Sequence, residues 1–378
     1  MTQPLRHAVG SLMVVGLAGG ELSAIERAWL KLVRPGGVIL FRRNIESAAQ
    51  TRALLDEATG LCAPHAFRCV DMEGGTVDRL RSALTPTPSA QTVFLAARQM
   101  KEPALPRQLG ELVASACQAF GFNTTLAPVL DLGLPASAAV MGTRAAAATA
   151  EGVVEFARAF LSGLKARGVV GCGKHFPGLG GGTLDSHLET PAIDRSLPTL
   201  QREDLVPYRE LNHELHMVMV NHAAYPHTPG KQRPASASPY WITTVLRKQL
   251  GFRGIVFSDD LEMGGILKFM PIEEAAIAAL RAGMDLIEIC HSPELILRAY
   301  QALLAEAERS AAFRKIIAER AQRTARARQQ LFAKGTPPAL SMRQFQSLCT
   351  RMERFNAVVQ IAQSSPAGNE INQEAGSL

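Results

Sequence analysis

The sequence lacks the features that mark membrane proteins and disulfide-stabilised secreted proteins. No apolar run approaches the roughly 20 residues that a membrane-spanning helix needs. The cysteines include no CxxC pair, and 378 residues are enough to bury a core without disulfides. We therefore expect reduced thiols, no membrane partner and a cytoplasmic location. The six cysteines are Cys62, Cys69, Cys117, Cys172, Cys290 and Cys349.

The N-terminal region carries only a weak targeting pattern. Arg6 and His7 precede an apolar run, Ala8–Ala18, which faintly resembles a signal peptide. No clear small-residue cleavage site precedes the next helical segment. The favoured interpretation is a buried first strand at Ser11–Gly16.

Charge is moderate, and its distribution does not indicate nucleic-acid binding. Charged residues make up 20% of the chain, aromatic residues 6%, and the net charge is +6. Basic residues concentrate in Arg309–Arg328, where a solvated helix face is the simplest interpretation. No alternation of aromatic and basic residues accompanies them. We expect no nucleic-acid partner, and a monomer or weak dimer.

Eight short apolar runs recur along the chain, most of them rich in Val and Ile. Each is too short for a core helix, and continuous apolar runs are typical of parallel strands buried on both faces. The predicted strands are Ser11–Gly16, Gly37–Phe41, Phe67–Asp71, Thr125–Leu130, Val169–His175, Met217–His222, Gly254–Ser258 and Met284–Ile289.

Segments with helical periodicity separate these runs. They are Glu21–Leu32, Ala48–Thr59, Leu105–Phe120, Ala147–Lys165, Arg202–Leu211, Tyr240–Leu250, Pro271–Ala282 and the long stretch Pro293–Leu331. The alternation predicts an α/β protein with a single closed (β/α)8 TIM barrel, and an open doubly wound sheet is the alternative. We assign residues 1–340 to the barrel. Residues 341–378 are predicted as an extra helix, Ser341–Ile361, followed by a polar, disordered tail.

Polar residues stand where several predicted strands end. Active sites of such barrels lie at the carboxyl ends of the strands. Asp71, the pair Lys174–His175, the pair Asn221–His222 and the pair Asp259–Asp260 all occupy such positions. We expect their side chains to converge on one pocket.

The stretch Lys174–His187 leaves a strand and becomes a glycine-rich loop ending in Asp-Ser-His. Three consecutive glycines allow a loop to move over a pocket. Asp185 can accept an N–H from His187 and raise its basicity, which suits a proton shuttle. A flexible solvent loop with an incidental Asp and His is the alternative.

Two further stretches supply carboxylates. In Gly254–Met263, a strand delivers Asp259 and Asp260, and a carboxylate there can attack an anomeric carbon. Metal binding or helix capping, especially by Asp260, is the alternative. In Val70–Arg79, Asp71 can accept hydrogen bonds from sugar hydroxyls and Arg79 could reach another. A surface turn would look the same.

Taken together, the motifs KHFPG…DSH, FSDDLEM and DMEGG resemble glycoside hydrolase family 3. The nearest branch is the bacterial β-N-acetylglucosaminidases of peptidoglycan recycling. The likeness covers about residues 8–335. Supporting segments are Gly36–Asn44, Leu126–Leu132, Asn221–Pro226 and Pro234–Asp260.

The resemblance implies residue roles and a reaction. Asp259 would be the nucleophile and His187 the acid/base, with Asp185 as its partner. The implied activity is retaining removal of terminal β-linked N-acetylglucosamine (GlcNAc) from peptidoglycan-derived sugars, through a covalent glycosyl-enzyme and without metal or cofactor. The implied substrate-binding residues are Asp71, Arg79, Arg144, Lys174 and His175.

The sequence departs from the family pattern at three places. Leu179 replaces a usual His, Met72 stands where Gln is frequent, and Ala145–Ala148 replaces a segment that often begins with an aromatic residue. None of these removes a proposed catalytic group, but each can alter substrate contacts or loop packing.

Other functions remain open at this point. A family 3 β-glucosidase or xylosidase usually carries a second sandwich domain with a Glu acid, for which this chain has no room. A glycoside phosphorylase is conceivable, because a neutral His would not repel phosphate. The remaining alternatives are a non-catalytic sugar-binding barrel and an aldolase-like barrel using Lys174 as a Schiff base.

Overall fold

The structure is a computed structural model that describes residues 3–182, 191–231 and 233–364. Eight parallel strands form a closed barrel in the order β1-β2-β3-β6-β7-β8-β9-β10, and β10 pairs with β1. This closure confirms the predicted (β/α)8 barrel and excludes the open sheet. The strands are β1 (Met13–Gly16), β2 (Gly37–Leu40), β3 (Phe67–Val70), β4 (Met72–Gly74), β5 (Val77–Asp78), β6 (Thr124–Thr125), β7 (Val170–Phe176), β8 (Met217–Val220), β9 (Ile255–Asp260) and β10 (Leu286–Ile289).

The barrel strands are apolar because both of their faces are buried. Inward side chains such as Val14 and Leu286 form a cluster inside the barrel. Outward side chains such as Val15 and Ile287 pack against the surrounding helices. The short strands β4 and β5 stand apart as an antiparallel hairpin above β3.

Helices surround the barrel, as the periodicity predicts. They are α1 (Gln3–Gly10), α2 (Ala24–Val33), α3 (Ala48–Gly60), α4 (Ala90–Met100), α5 (Leu105–Ala119), α6 (Ala138–Met141), α7 (Ala150–Ala166), α8 (Leu197–Arg202), α9 (Val206–Glu210), α10 (Gly264–Leu267), α11 (Ile272–Ala282), α12 (Pro293–Arg309), α13 (Ala311–Phe332) and α14 (Met342–Ser364). A π-helix, Tyr240–Gln249, follows β8.

Several boundaries differ from the sequence prediction. Strand β6 has two residues instead of six, because Pro128 has no N–H to donate to a neighbouring strand. The long helix after β10 divides at Ser310, whose hydroxyl accepts the N–H of Phe313 and starts α13. The segment predicted as one helix at Arg202–Leu211 forms the end of α8 and all of α9. Helices α1, α4, α6 and α10 were not predicted.

Helix α13 crosses the base of the barrel, at the amino ends of the strands. Phe332 joins the interior cluster, and its ring meets Phe67 edge-on at 5.3 Å. Arg328 is buried and donates to the carbonyl oxygens of Ser11, at 3.1 Å, and Pro64, at 3.2 Å. The helix is therefore tied to the loops that lead into β1 and β3.

Helix α14 confirms the extra helix predicted after the barrel. It packs against α4 and α5 and buries Leu348, Met352, Phe355 and Val359. Residues 365–378 of the predicted tail lie outside the described part of the chain. The division into a barrel at 1–340 and an appended segment at 341–378 stays a prediction. None of the described helices is long and apolar enough to cross a membrane.

Candidate functional site

A cavity of about 370 Å³ opens at the carboxyl ends of the barrel strands. This is the end at which the sequence placed its polar residues. The side chains of Asp71, Arg79, Arg144, Lys174, His175 and Asp259 all line it.

Lys174 lies at the centre of an ion-pair network in this cavity. Its Nζ is 2.9 Å from Asp71 Oδ1 and 2.6 Å from Glu73 Oε1. Arg144 holds Glu73 with two hydrogen bonds, of 2.8 and 2.9 Å. Burial opposes the charge on Lys174, but the carboxylates outweigh it and raise its pKa. Lys174 is a charged ammonium here, which disfavours the Schiff-base alternative.

The two carboxyls of this network are ionised. Burial alone would raise their pKa values, but neighbouring cations outweigh it. Lys174 and Arg79 hold the pKa of Asp71 well below its usual range. Arg144 and Lys174 lower the pKa of Glu73 to about 2. The cavity therefore offers fixed acceptor oxygens and fixed donors, which is what a polyhydroxylated ligand requires.

The β4–β5 hairpin delivers Arg79 to the cavity. Its NH2 is 3.2 Å from Asp71 Oδ2. The turn uses Gly74 at φ +97°, where a Cβ would lie 2.2 Å from the carbonyl oxygen of Pro88. Only glycine fits this close approach, so the EGG sequence in the motif has a structural reason.

His175 is oriented by Asp131, a residue that the sequence analysis did not single out. His175 Nδ1 is 2.6 Å from Asp131 Oδ2, and the other carboxylate oxygen accepts the N–H of Leu179 at 2.7 Å. With a proton on Nδ1, Nε2 is left as an acceptor. Arg144 NH2 lies 3.4 Å from it. The available signal was a single Asp inside the apolar segment Leu126–Leu132.

Asp259 is the penultimate residue of β9 and is partly exposed to the cavity. Its Oδ1 accepts the N–H of Asp260 at 3.0 Å. Among the described residues, Asp259 forms no ion pair, whereas Asp71 and Glu73 are both salt-bridged. A carboxyl group in this setting can approach a ligand atom directly.

Asp260 has a different environment from its neighbour. Its Oδ1 accepts the N–H groups of Glu262, at 3.0 Å, and Cys290, at 3.2 Å. Burial, with help from Glu262 and Asp259, raises its pKa to about 7. The expectation that Asp260 caps the next helix is wrong, since Met263 is the N-cap of α10. Asp260 instead links the turn that follows β9 to Cys290, the residue that follows β10.

Asn221 and His222 end β8 but do not line the cavity. Asn221 donates to the carbonyl oxygen of His175 at 3.0 Å. His222 Nδ1 is 2.7 Å from the Ser236 hydroxyl, and Nε2 is 2.9 Å from the carbonyl oxygen of Asp260. The expectation that both side chains converge on the pocket is wrong. Both are fully buried and support the backbone behind it.

Two proposed site residues, Asp185 and His187, lie within residues 183–190, outside the described part of the chain. The residues just before this segment are in place beside the cavity. Leu179, which departs from the family pattern, is buried and lines the cavity.

Glu73, Asp131 and Glu288 are the site residues that sequence reasoning missed. Glu73 is part of the DMEGG motif, but the sequence analysis gave it no role. Glu288 interrupts an apolar run, and the structure places it at the cavity. A single acidic residue inside a buried strand was the signal in that case.

The comparisons with known proteins agree with this geometry. The sequence model of the glycosyl hydrolase family 3 N-terminal domain matches residues 4–327. The chain belongs to glycosyl hydrolase family 3. It is therefore a glycoside hydrolase by family, as the motifs predict.

Among its relatives in this family is a β-hexosaminidase from Alkalilimnicola ehrlichii. It is 42% identical over 293 residues, which cover 76% of this chain and 82% of the relative. A β-hexosaminidase from Methylococcus capsulatus is 40% identical over 288 residues, with 76% and 85% covered.

Solved structures of family 3 members have the same fold. The β-N-acetylglucosaminidase from Paenibacillus sp. FPU-7 matches with a TM-score of 0.83 at 30% identity, over 94% of this chain and 69% of its own. NagZ from Neisseria gonorrhoeae, in complex with N-trifluoroacetyl-D-glucosamine, matches with a TM-score of 0.69 at 32% identity. That match covers 83% of this chain and 98% of NagZ.

Proposed function

We propose that this family 3 hydrolase is a retaining exo-β-N-acetylglucosaminidase. It would act in the cytoplasm as a monomer or weak dimer, on terminal β-linked GlcNAc of peptidoglycan-derived sugars. The observation that carries the proposal is Asp259, a carboxylate at the end of a rigid strand with a face toward the cavity. The β-hexosaminidase relatives, and the solved relative that binds an N-acylated glucosamine, support the choice of sugar.

The first chemical step uses Asp259 and His187. An Asp259 oxygen attacks the anomeric carbon and forms a glycosyl ester, while the bond from that carbon to the leaving oxygen breaks. His187 gives its proton to the leaving oxygen, and Asp185 accepts the other imidazole N–H. In the second step His187 takes a proton from water. The resulting hydroxide attacks the anomeric carbon and releases Asp259, so that the β configuration is restored.

The remaining polar residues would bind the sugar in the cavity. Asp71 can accept hydroxyl hydrogen bonds, and Arg79, Arg144 and Lys174 can donate to oxygen atoms. His175 presents Nε2 as an acceptor. A cavity of about 370 Å³ lies near the lower end of ligand-pocket volumes, which favours one terminal sugar residue.

Hydrolysis of a chromogenic β-GlcNAc substrate tests the proposal. We expect the wild-type protein to release the chromophore and Asp259→Asn to lose at least about 10⁴-fold in kcat. The matched control is Asp260→Asn, which alters the adjacent carboxyl but keeps an oxygen for the Glu262 and Cys290 amides. No hydrolysis by the wild type would contradict the function. Full activity of Asp259→Asn would contradict the nucleophile.

Two parallel assays address the alternatives. A chromogenic β-glucoside or β-xyloside hydrolysed faster than the GlcNAc substrate would point to the other family 3 activities. Appearance of a sugar 1-phosphate in phosphate buffer would point to a phosphorylase instead.

A further inference from the structure

Glu288 is a carboxyl group inside the barrel that the proposed chemistry leaves without a role. On β10, Leu286 and Cys290 belong to the interior cluster, whereas Ile287 and Ile289 pack against the helices. Side chains of a strand alternate between its faces, so Glu288 points inward with Leu286 and Cys290. It is 2% exposed and lines the cavity, which places it at the floor of the site.

The carboxyl of Glu288 is incompletely hydrogen-bonded. Its Oε1 is buried and has no hydrogen-bond partner among the described residues. Leaving a buried polar atom unpaired destabilises a fold, and an apolar side chain at this position would avoid that penalty. The strand pairing does not use the carboxyl. The backbone of β10 pairs regularly with β1, and at the register shift against β9 the Glu288 N–H donates to the Ser258 hydroxyl at 2.9 Å. A buried oxygen left unpaired beside a ligand cavity points to a bond that forms with the ligand.

The groups around Glu288 favour its protonated form. Asp260 and Asp259 face it from β9, Asp71 from the end of β3, and Lys174 from β7. Burial is the largest influence, and the three carboxyls add to it, against one cation. Together they raise the pKa of Glu288 well above its usual range. The protonated form is thereby favoured, and a protonated carboxyl has one O–H donor together with acceptor oxygens.

We infer that Glu288 is a substrate-binding and specificity-determining residue, whose carboxyl exchanges hydrogen bonds with a hydroxyl group of the bound sugar. A hydroxyl can donate to the unpaired oxygen and accept from the acid at the same time. A neutral acid contributes this contact without adding another negative charge beside Asp71 and Asp259. The inference rests on the proposed function, because it takes the ligand of this cavity to be a sugar.

Three variants separate a binding role from a structural one. Glu288→Leu removes the hydrogen bonds, and Glu288→Gln keeps a donor and an acceptor in the same shape. Leu286→Met changes the neighbouring inward side chain of the same strand, which does not line the cavity, and serves as the control. We expect Glu288→Leu to raise KM about tenfold or more, with a smaller change in kcat, and Glu288→Gln and Leu286→Met to stay within about threefold of wild type.

Two results would overturn the inference. One is a folded Glu288→Leu variant whose KM equals that of wild type. The other is a Glu288→Gln variant as impaired as Glu288→Leu, since retained hydrogen-bonding groups would then have no effect.

Substrates lacking one hydroxyl at a time locate the contact. If Glu288 binds a given hydroxyl, its removal raises KM in the wild type but has little further effect in Glu288→Leu. Equal penalties in both proteins at every hydroxyl would contradict a direct contact.

A binding experiment keeps this inference separate from the proposed function. If the wild type hydrolyses no β-GlcNAc substrate, the proposed function fails, and calorimetry with GlcNAc, glucose and xylose replaces kinetics. Glu288→Leu should then bind at least one of these sugars about tenfold more weakly than wild type and Glu288→Gln. Equal affinities in the three proteins, or no binding to any of the sugars, would count against Glu288.

Discussion

The mouth of the barrel, at the carboxyl ends of the strands, and its base both hold buried ionisable groups, but carboxyl groups are in excess at the mouth and guanidinium groups at the base. At the base, Asp285 is fully buried. Its Oδ2 accepts from Arg247 at 2.5 Å, and its Oδ1 lies 3.4 and 3.5 Å from the guanidinium groups of Arg323 and Arg320. At the mouth, the carboxyl groups outnumber the cations. The carboxyls there are Asp71, Glu73, Asp259, Asp260 and Glu288, and the cations are Arg79, Arg144 and Lys174.

The contrast shows which charged cluster is arranged for chemistry. At the base, Arg247 is held by backbone groups, because its Nη1 donates to the carbonyl oxygens of Phe252 and Gly254, at 3.0 and 2.7 Å. The base hollow is also larger, about 620 Å³ against about 370 Å³ at the mouth. Neither size nor charge therefore locates the site. The mouth is distinguished by carboxyl groups that line a cavity at the carboxyl ends of the strands, where the active sites of such barrels lie.

The largest effect on stability is expected from Lys174→Met at the mouth. It leaves Asp71 and Glu73 buried with one cation fewer between them. We expect a loss of about 3–5 kcal/mol in the free energy of unfolding, and a fall in kcat/KM of at least about 10²-fold. Chemical denaturation and steady-state kinetics measure both. Lys31→Met, on the exposed face of α2, is the control and should change neither. An unchanged Lys174→Met enzyme would remove the distinction between mouth and base.

At the base, Asp285→Asn is expected to affect stability but not activity. The amide can still accept the N–H of Val256, which Asp285 Oδ2 accepts at 2.9 Å, but it cannot neutralise three arginines. We expect a loss of about 2–3 kcal/mol in the free energy of unfolding and a kcat/KM within about twofold of wild type. A large kinetic defect in the folded variant would break the comparison.

Asp131→Asn tests whether a residue at the mouth that orients His175 affects substrate binding. An amide provides one acceptor oxygen, so it cannot serve His175 and Leu179 together as the carboxylate does. We expect KM to rise about tenfold while the protein stays folded. Circular dichroism checks the fold, and kinetics on the chromogenic substrate give KM. A KM equal to that of wild type would show that the orientation of His175 does not affect substrate binding.

The carboxyl groups at the mouth should also make stability depend on pH. Asp260 has a pKa of about 7 in the folded protein, against an ordinary value of 3.8. Between these values the folded state keeps a proton that the unfolded state has released, so this group lowers stability as pH rises. Compared with wild type, Asp260→Asn should become progressively more stable from about pH 4 to pH 7, and change little above. Denaturation at pH 4.5, 6 and 8 measures the trend.

Glu73→Gln should show the opposite sign. The pKa of Glu73 is lowered to about 2, from 4.5, so its contribution is complete above about pH 4.5 and is lost as pH falls toward 2. The stability deficit of Glu73→Gln should therefore shrink on acidification. The same trend in both variants would contradict the assigned protonation states.

The sequence predicted the barrel and placed Asp71, Lys174 and Asp259 at its mouth. This was possible because the end of a buried strand has a local pattern, an apolar run followed by a polar residue. It also placed Asn221 at a strand end. The Asn221 side chain does not line the cavity, because it donates to the carbonyl oxygen of His175 on another strand. The direction of a side chain and its hydrogen-bond partner depend on tertiary contacts, which the local sequence pattern does not specify.

The missed residues have the same cause. In a run buried on both faces, the pattern does not say whether Glu288 points inward or outward. Asp131 acts through His175, 44 positions away. The roles of Asp185 and His187 rest on family resemblance and stay a prediction, as do the cytoplasmic location and the link to peptidoglycan.

The aromatic contact at the base has a kinetic consequence. Phe332 packs against Phe67 beneath the barrel interior, so the described structure gives a ligand in the cavity no passage through the barrel. The released monosaccharide would then leave by the opening that the next substrate enters. We therefore expect GlcNAc to inhibit competitively, and progress curves to bend earlier than substrate depletion alone predicts.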